Sequence, residues 1–222
     1  MADKGAALET AWVLHARPYR NSSLVLDMFS AGRGRLGVVA RGGRRNHLLQ
    51  PFRPLLVSFT GRGELLNIQQ VESAGSALPL AGRALYCGMY LNELLVRLLH
   101  RNDPHPGLMA PYEATLHALA TDVPAQDVLL RHFELALLDE LGYSFSLTED
   151  ATGAPLRAGQ AYRLDPEQGL VPAASGWPGS ALLAMAAGDW QDETRRVARD
   201  VLRAALAPHL GARPLVSREL FR

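Results

Sequence analysis

A chain of 222 residues, 48% of them apolar, has material for one or two buried cores. Its single cysteine, Cys87, excludes an intrachain disulfide, and no segment approaches the roughly 18 consecutive apolar residues of a membrane span. The net charge of +1 hides a sorting: residues 1–63 hold ten Lys/Arg against Asp3, Glu9 and Asp27, a balance of +7, whereas the rest hold 13 Arg against 19 Asp/Glu, a balance of −6. Such a field steers a polyanion toward the N-terminal part and away from the remainder.

In chain order, residues 9–72 break into short runs of strand type: Thr10–Arg17, Ser23–Ser30, Arg35–Ala40, Leu55–Thr60 and Leu65–Glu72. The segments between them carry the Gly, Pro, Asn and Ser of strand-linking turns. Five short strands predict a small closed barrel, and the five-stranded solution associated with oligonucleotides is the OB-fold. After Pro79 the period becomes helical over Gly82–His100, with further helices over Leu108–Ala120 and from Pro124 to Gly142. Residues 143–180, rich in Gly and Pro, read as loops and a hairpin. Helices resume over Ser180–Ala187 and Asp189–Ala207, and Ser217 is expected to cap a last turn, SRELFR. The predicted fold class is thus a multi-domain α and β chain: a five-stranded OB-fold barrel over residues 1–79, then an all-α helical domain over 80–222 with an irregular insert at 143–180. The first residues, MADKGAALET, have no apolar core of a signal peptide, so a cytoplasmic location is expected.

Between Arg33 and Arg53 the side chains of Arg33, Arg35, Arg41, Arg44 and Arg45 alternate with Gly32, Gly34, Gly37, Gly42 and Gly43. Glycine lets backbone approach phosphates, and arginine forks bind them bidentately with release of counterions. A solvated loop is the alternative reading of this segment. With Arg20, Arg53 and Arg62 these arginines form the candidate nucleic-acid-binding set. Tyr19, in a Pro-Tyr-Arg-Asn turn, is the candidate stacking platform; Phe29 and Phe52 lie beside the same segment, and Phe59 falls in a strand pattern that reads as core. Gly32, Gly34 and Gly37 also spell G-x-G-x-x-G, but a strand follows where a dinucleotide-binding turn needs a helix. The seven histidines lack paired ligand spacing, and the basic segment has only scattered carboxylates, so neither a metal site, a cofactor nor an enzyme is expected. Arg195, Arg199 and Arg203 recur at four-residue steps as a basic stripe, with Arg196 expected to pair with Asp192 and Asp200. In the third helix Arg131, Leu135 and Leu138 share a face, a basic head over apolar side chains, suited either to an acidic peptide or to ordinary packing under a surface arginine.

Several segments in one order carry a family resemblance: WVLHARPYRNSSLVLDMFS, VARGGRR followed by LQPFRPLLVSFTGRGEL, LYCGMYLNELLVRLL, RHFELALLDELGY and the terminal PLVSREL. Over nearly its full length the chain resembles the RecO family of DNA repair and recombination mediators. The resemblance implies an N-terminal OB-fold and a C-terminal helical domain. It also implies binding of single- and double-stranded DNA, annealing of complementary strands, and work with RecR in loading the RecA recombinase onto strands coated by single-stranded-DNA-binding protein. It places the carboxylate contact for the coating protein's acidic C-terminal tail at Arg131, and a nucleoid-associated location follows. Many members carry a four-cysteine zinc module in the region matching Thr148–Gly176; this chain has no cysteine there, so zinc is not carried over. The rival readings are an adaptor that holds the coating protein's tail with weak DNA contact, an RNA-binding OB protein, and a metal nuclease.

Overall fold

The computed structural model describes residues 7–121 and 125–221, which divide into two compact units, Met1–Val123 with Leu215–Arg222 and Pro124–Pro214. The first unit opens with five strands, β1 (Glu9–Tyr19), β2 (Ser23–Ser30), β3 (Gly34–Ala40), β4 (Pro54–Thr60) and β5 (Leu65–Ser73). They close in the order β1-β2-β3-β5-β4, with β4 returning to β1. Every pairing is antiparallel except β3 with β5, where Gly37 faces Leu65 and Val39 faces Asn67. A register shift between Val13 and His15 bends β1 so that it serves both β2 and β4. Closure to an OB-like barrel removes the exposed strand edges that an open sheet of this size would present.

Alternation fills the barrel. Ala11, Val13, Leu26, Met28, Leu36, Val38, Leu55, Val57, Phe59 and Leu66 point inward and form one core. Trp12 and Leu14 of β1 and Phe29 of β2, which lie between the inward positions, are apolar and buried as well, because helices cover that outer face: α1 (Gly82–Leu98) and α2 (Met109–Ala120). Tyr112 meets the rings of Trp12 and Phe29 edge-on at 5.7 and 5.8 Å, and all three are fully buried. The polar atoms of this layer are satisfied across elements. Trp12 Nε1 donates to Glu113 Oε1 (2.9 Å), Asn92 Nδ2 to the Leu14 carbonyl (3.0 Å), and the Tyr112 hydroxyl to Asn92 Oδ1 (2.7 Å).

The chain end returns to the same unit as a 3-10 turn over Val216–Phe221. Ser217 does not cap it, contrary to the sequence expectation. The Glu93 carboxylate of α1 accepts the Val216 and Ser217 amides (2.9 and 2.8 Å) and the Ser217 hydroxyl (2.5 Å). Burial by itself raises the Glu93 carboxyl, but the Ser217 hydroxyl, the two amides and Arg97 outweigh it and hold the group below its ordinary value.

The second unit holds α3 (Gln126–Glu140), α4 (Gly179–Ala186) and α5 (Asp192–Leu210). The insert is more ordered than a loop: β6 (Ala161–Asp165) and β7 (Gly169–Ala173) form the expected hairpin, and β8 (Trp177–Pro178) adds a third strand. Leu156, Tyr162 and Leu170 pack with Leu182 and Val201 into a core of their own. Within the insert, Asp150 Oδ1 accepts the Thr152 amide and hydroxyl and the Ala154 amide (2.8, 2.6 and 3.2 Å), pinning the turn. No group of three metal-ligating His, Cys, Asp or Glu side chains occurs among the described residues. Cys87 is buried in α1. No described helix is long and apolar enough to cross a membrane.

Candidate nucleic-acid interface

Strand polarity decides where the arginines go. The β1–β2 turn and the β3–β4 loop emerge at one end of the barrel, and the Arg44 amide donates to the Ser22 carbonyl (3.1 Å), tying the two connections together. Arg17, Tyr19, Arg20, Arg41, Arg44 and Arg45 are all exposed there. Residues 14–25 and 40–53 contain no acidic residue, so nothing local cancels the charge. Arg17, Arg41, Arg44 and Arg45 have no carboxylate partner among the described residues. Tyr19 is 40% exposed, with the Arg20 guanidinium 5.2 Å from its ring centre, a pairing that keeps the ring at the surface. Gly42, at φ 67°, starts a 3-10 turn over Gly43–Arg45 that projects both Arg44 and Arg45.

Two arginines of the same stretch are held inside the fold. Arg35 donates from Nε and Nη2 to Asp27 Oδ1 (3.2 and 2.9 Å) and from Nη1 to the Leu99 carbonyl (3.2 Å); Arg101 approaches the same carboxylate oxygen at 3.4 Å. Asp27 is 4% exposed, so its charge is neutralised within the fold by these two cations. Arg53 folds back on Ser73 Oγ and the Gly75 carbonyl (3.4 and 3.3 Å), and its Nε is buried. Arg33 and Arg62 belong to the opposite end, in the β2–β3 and β4–β5 turns. Arg33 pairs with Glu9 at 2.9 Å and lies 5.7 Å above the Phe59 ring centre, and Arg62 is exposed beside Glu64.

Of the aromatic candidates only Tyr19 stays at the surface. Phe29 is buried against Tyr112, and Phe52 packs where Gly88 leaves room, since a Cβ there would stand 2.8 Å from the Phe52 ring. The G-x-G-x-x-G spelling has a packing explanation. A Cβ on Gly34 would sit 1.8 Å from the Asp103 carbonyl oxygen, and one on Gly37 2.9 Å from that of Glu64, at the parallel closure of the barrel.

In α3, Arg131 is 8% exposed and its Nη2 meets Glu134 Oε1 at 2.9 Å, while its Nε finds no acceptor among the described residues. Leu135 is half-buried and Leu138 buried. The stripe on α5 is largely spent: Arg195 grips Asp127 of α3 through Nε and Nη2 (2.8 and 2.5 Å), and Arg199 turns to Asp200 (3.0 Å). Arg196 instead donates to its own helix backbone, at the Asp192 carbonyl.

Sequence reading missed the residues that line a cleft between the two connections at the basic end, among them Leu24, Asn46, His47 and Gln50. Their grouping depends on the non-local contact of Arg44 with Ser22, for which no linear pattern exists.

Comparison with known proteins fits this architecture. Residues 6–77 match the family model described as recombination protein O N terminal, and residues 80–219 match recombination protein O C terminal. Proteins named DNA repair protein RecO are similar throughout. That of Stutzerimonas stutzeri is 50% identical over 220 residues, covering 96% of this chain and 92% of its own; that of Pseudomonas paraeruginosa is 48% identical, covering 97% and 95%. The Pseudoalteromonas atlantica protein is 42% identical, with 95% and 92% covered. A barrel with an arginine-bearing end, a helical domain, and matches to both family models along nearly the whole chain establish that it belongs to the RecO family of DNA repair and recombination proteins.

Proposed function

We propose that this chain is a non-enzymatic recombination mediator that binds single- and double-stranded DNA through the basic end of its barrel, with little sequence preference, and anneals complementary strands. The observation that carries the reading is the cluster of Arg17, Arg20, Arg41, Arg44 and Arg45 on two connections with no acidic residue. Two phosphate backbones repel each other; a surface of unpaired guanidinium groups lowers that repulsion and displaces counterions while leaving base edges open for pairing. Arg33 and Arg62 extend contact at the opposite end, whereas Arg35 and Arg53 support the barrel rather than the strand.

Family membership supports the remainder of the reading. With RecR the chain assists RecA in loading onto strands coated by single-stranded-DNA-binding protein, whose acidic tail docks on α3 at Arg131, Leu135 and Leu138. An incoming carboxylate there supplies the acceptor that Arg131 Nε lacks. The test is annealing of complementary oligonucleotides coated with that protein, across a salt series. Acceleration that fades with salt is expected. Absence of acceleration, with binding of a tail peptide retained and lost in Arg131→Ala, returns the chain to a pure adaptor.

A further inference from the structure

The charged end of the barrel contains an apolar recess. Between the β1–β2 turn and the β3–β4 loop lies an open cleft floored by Leu24 and Leu49, with Pro18 at its side. A Cβ on Gly43 would lie 2.8 Å from Ala40 Cβ, 3.3 Å from Leu49 Cδ1 and 3.5 Å from Leu24 Cδ1, so glycine lets the turn that bears Arg44 and Arg45 settle directly against these side chains. Its rim is polar. Asn46 uses Oδ1 to accept the Leu48 amide (3.0 Å), which leaves its NH2 as a donor, and His47 and Gln50 complete the edge beside Arg44 and Arg45.

We propose that this cleft receives an unstacked base of a single DNA strand, so that the basic end distinguishes single-stranded from duplex DNA. The inference rests on the mediator reading of that end and deepens it. Charge selects the class of occupant: the two connections carry arginines and no acid, so what approaches is a polyanion. The apolar floor then selects within that class. A bare phosphate gains nothing from Leu24 and Leu49, whereas a base offers a flat apolar face to the floor and hydrogen-bonding edges to Asn46, His47 and Gln50. A duplex keeps its bases paired and stacked inside, and reaches the arginines but not the recess. The guanidinium groups of Arg44 and Arg45 hold the flanking phosphates.

The experiment compares, on the full chain by fluorescence anisotropy, an oligothymidylate, a strand of equal length and charge whose residues are abasic, and a duplex of the same sequence. Binding of the base-bearing strand at least about fivefold tighter than the abasic strand is expected, the effect of roughly one stacked base. Leu24→Ala and Gln50→Ala should each bring that ratio about threefold closer to one. Gln50 is exposed, so its variant tests the cleft even where Leu24→Ala disturbs the barrel core. A ratio near one in the unaltered chain, or a ratio that survives both substitutions, overturns the assignment and leaves phosphate binding intact. Failure of all three nucleic acids to bind removes the mediator reading itself.

Discussion

Arg35 and the pair Arg44 and Arg45 stand nine and ten residues apart in one basic stretch, and the structure gives them opposite duties, which a crossed experiment separates. Replacing Arg44 and Arg45 together by alanine removes two exposed cations that have no carboxylate partner among the described residues. On a single strand each phosphate contact contributes about 0.7 to the slope of log affinity against log salt, so the slope should fall by about 1.4. Between about 50 and about 200 mM salt, that corresponds to a roughly sevenfold smaller loss of affinity than in the unaltered protein. Thermal stability should not move by more than about 0.5 kcal/mol, as for other exposed sites. Arg35→Ala should do the reverse. It deletes three hydrogen bonds and strands the buried Asp27 carboxylate with only Arg101, at 3.4 Å. Removing one partner from a buried pair costs about 3 kcal/mol at the low end, appropriate because Arg101 remains, and lowers Tm by roughly 6–12 °C. Anisotropy titrations at four salt concentrations and a melting curve for each variant decide the matter. A flattened salt slope in Arg35→Ala, or an unchanged slope in the double variant, refutes the division of labour.

The other expectations concern positions where the tertiary fold leaves no slack. Gly34→Ala forces a Cβ onto the Asp103 carbonyl at a left-handed backbone position, φ 68°, and should destabilise by more than about 3 kcal/mol in urea unfolding; a loss under about 1 kcal/mol contradicts that packing. Tyr112→Phe removes the hydroxyl that donates to buried Asn92 Oδ1 and should cost about 1–2 kcal/mol, read by the same titration. Because the Glu93 carboxyl is held below its ordinary value, its anchoring of the terminal turn is fully present above about pH 4.5 and is lost as pH falls through the folded-state value. The Tm gap between the unaltered chain and Glu93→Gln should therefore be flat from about pH 6 to about pH 8 and shrink below about pH 4.5; a gap that persists in acid argues against the carboxylate as anchor.

Much of this chain was legible as a line of letters. Strand alternation in residues 9–72 located all five barrel strands to within about two residues, because the inward set of a closed barrel repeats every second position. The helical period gave the five helices, and the Gly and Pro of 143–180 gave a hairpin, though not the third strand, whose two residues Trp177 and Pro178 are too few to show a period. The candidate site was less legible. Phe29 and Phe52 looked available for stacking and are buried, since a sequence does not say which outer barrel face a helix will cover. Arg195 and Arg199, read as part of a basic stripe, found carboxylates on Asp127 of α3 and on the adjacent Asp200, while Arg196, expected to pair with Asp192 and Asp200, bonds the Asp192 carbonyl.

The sequence by itself determined where positive charge is concentrated, which segments alternate as strands and recur as helices, and which family the chain resembles, because each is a property of neighbours along the chain. Only the tertiary structure decided which arginines face solvent. Arg35 is withdrawn by a carboxylate on the adjacent strand and a carbonyl 64 residues away, while Arg44 and Arg45 are brought beside Tyr19 and Arg20 by one backbone hydrogen bond from Arg44 to Ser22. A charge is written in the residue, but its availability depends on what the fold places within hydrogen-bonding distance, and that distance is measured across the barrel rather than along the chain.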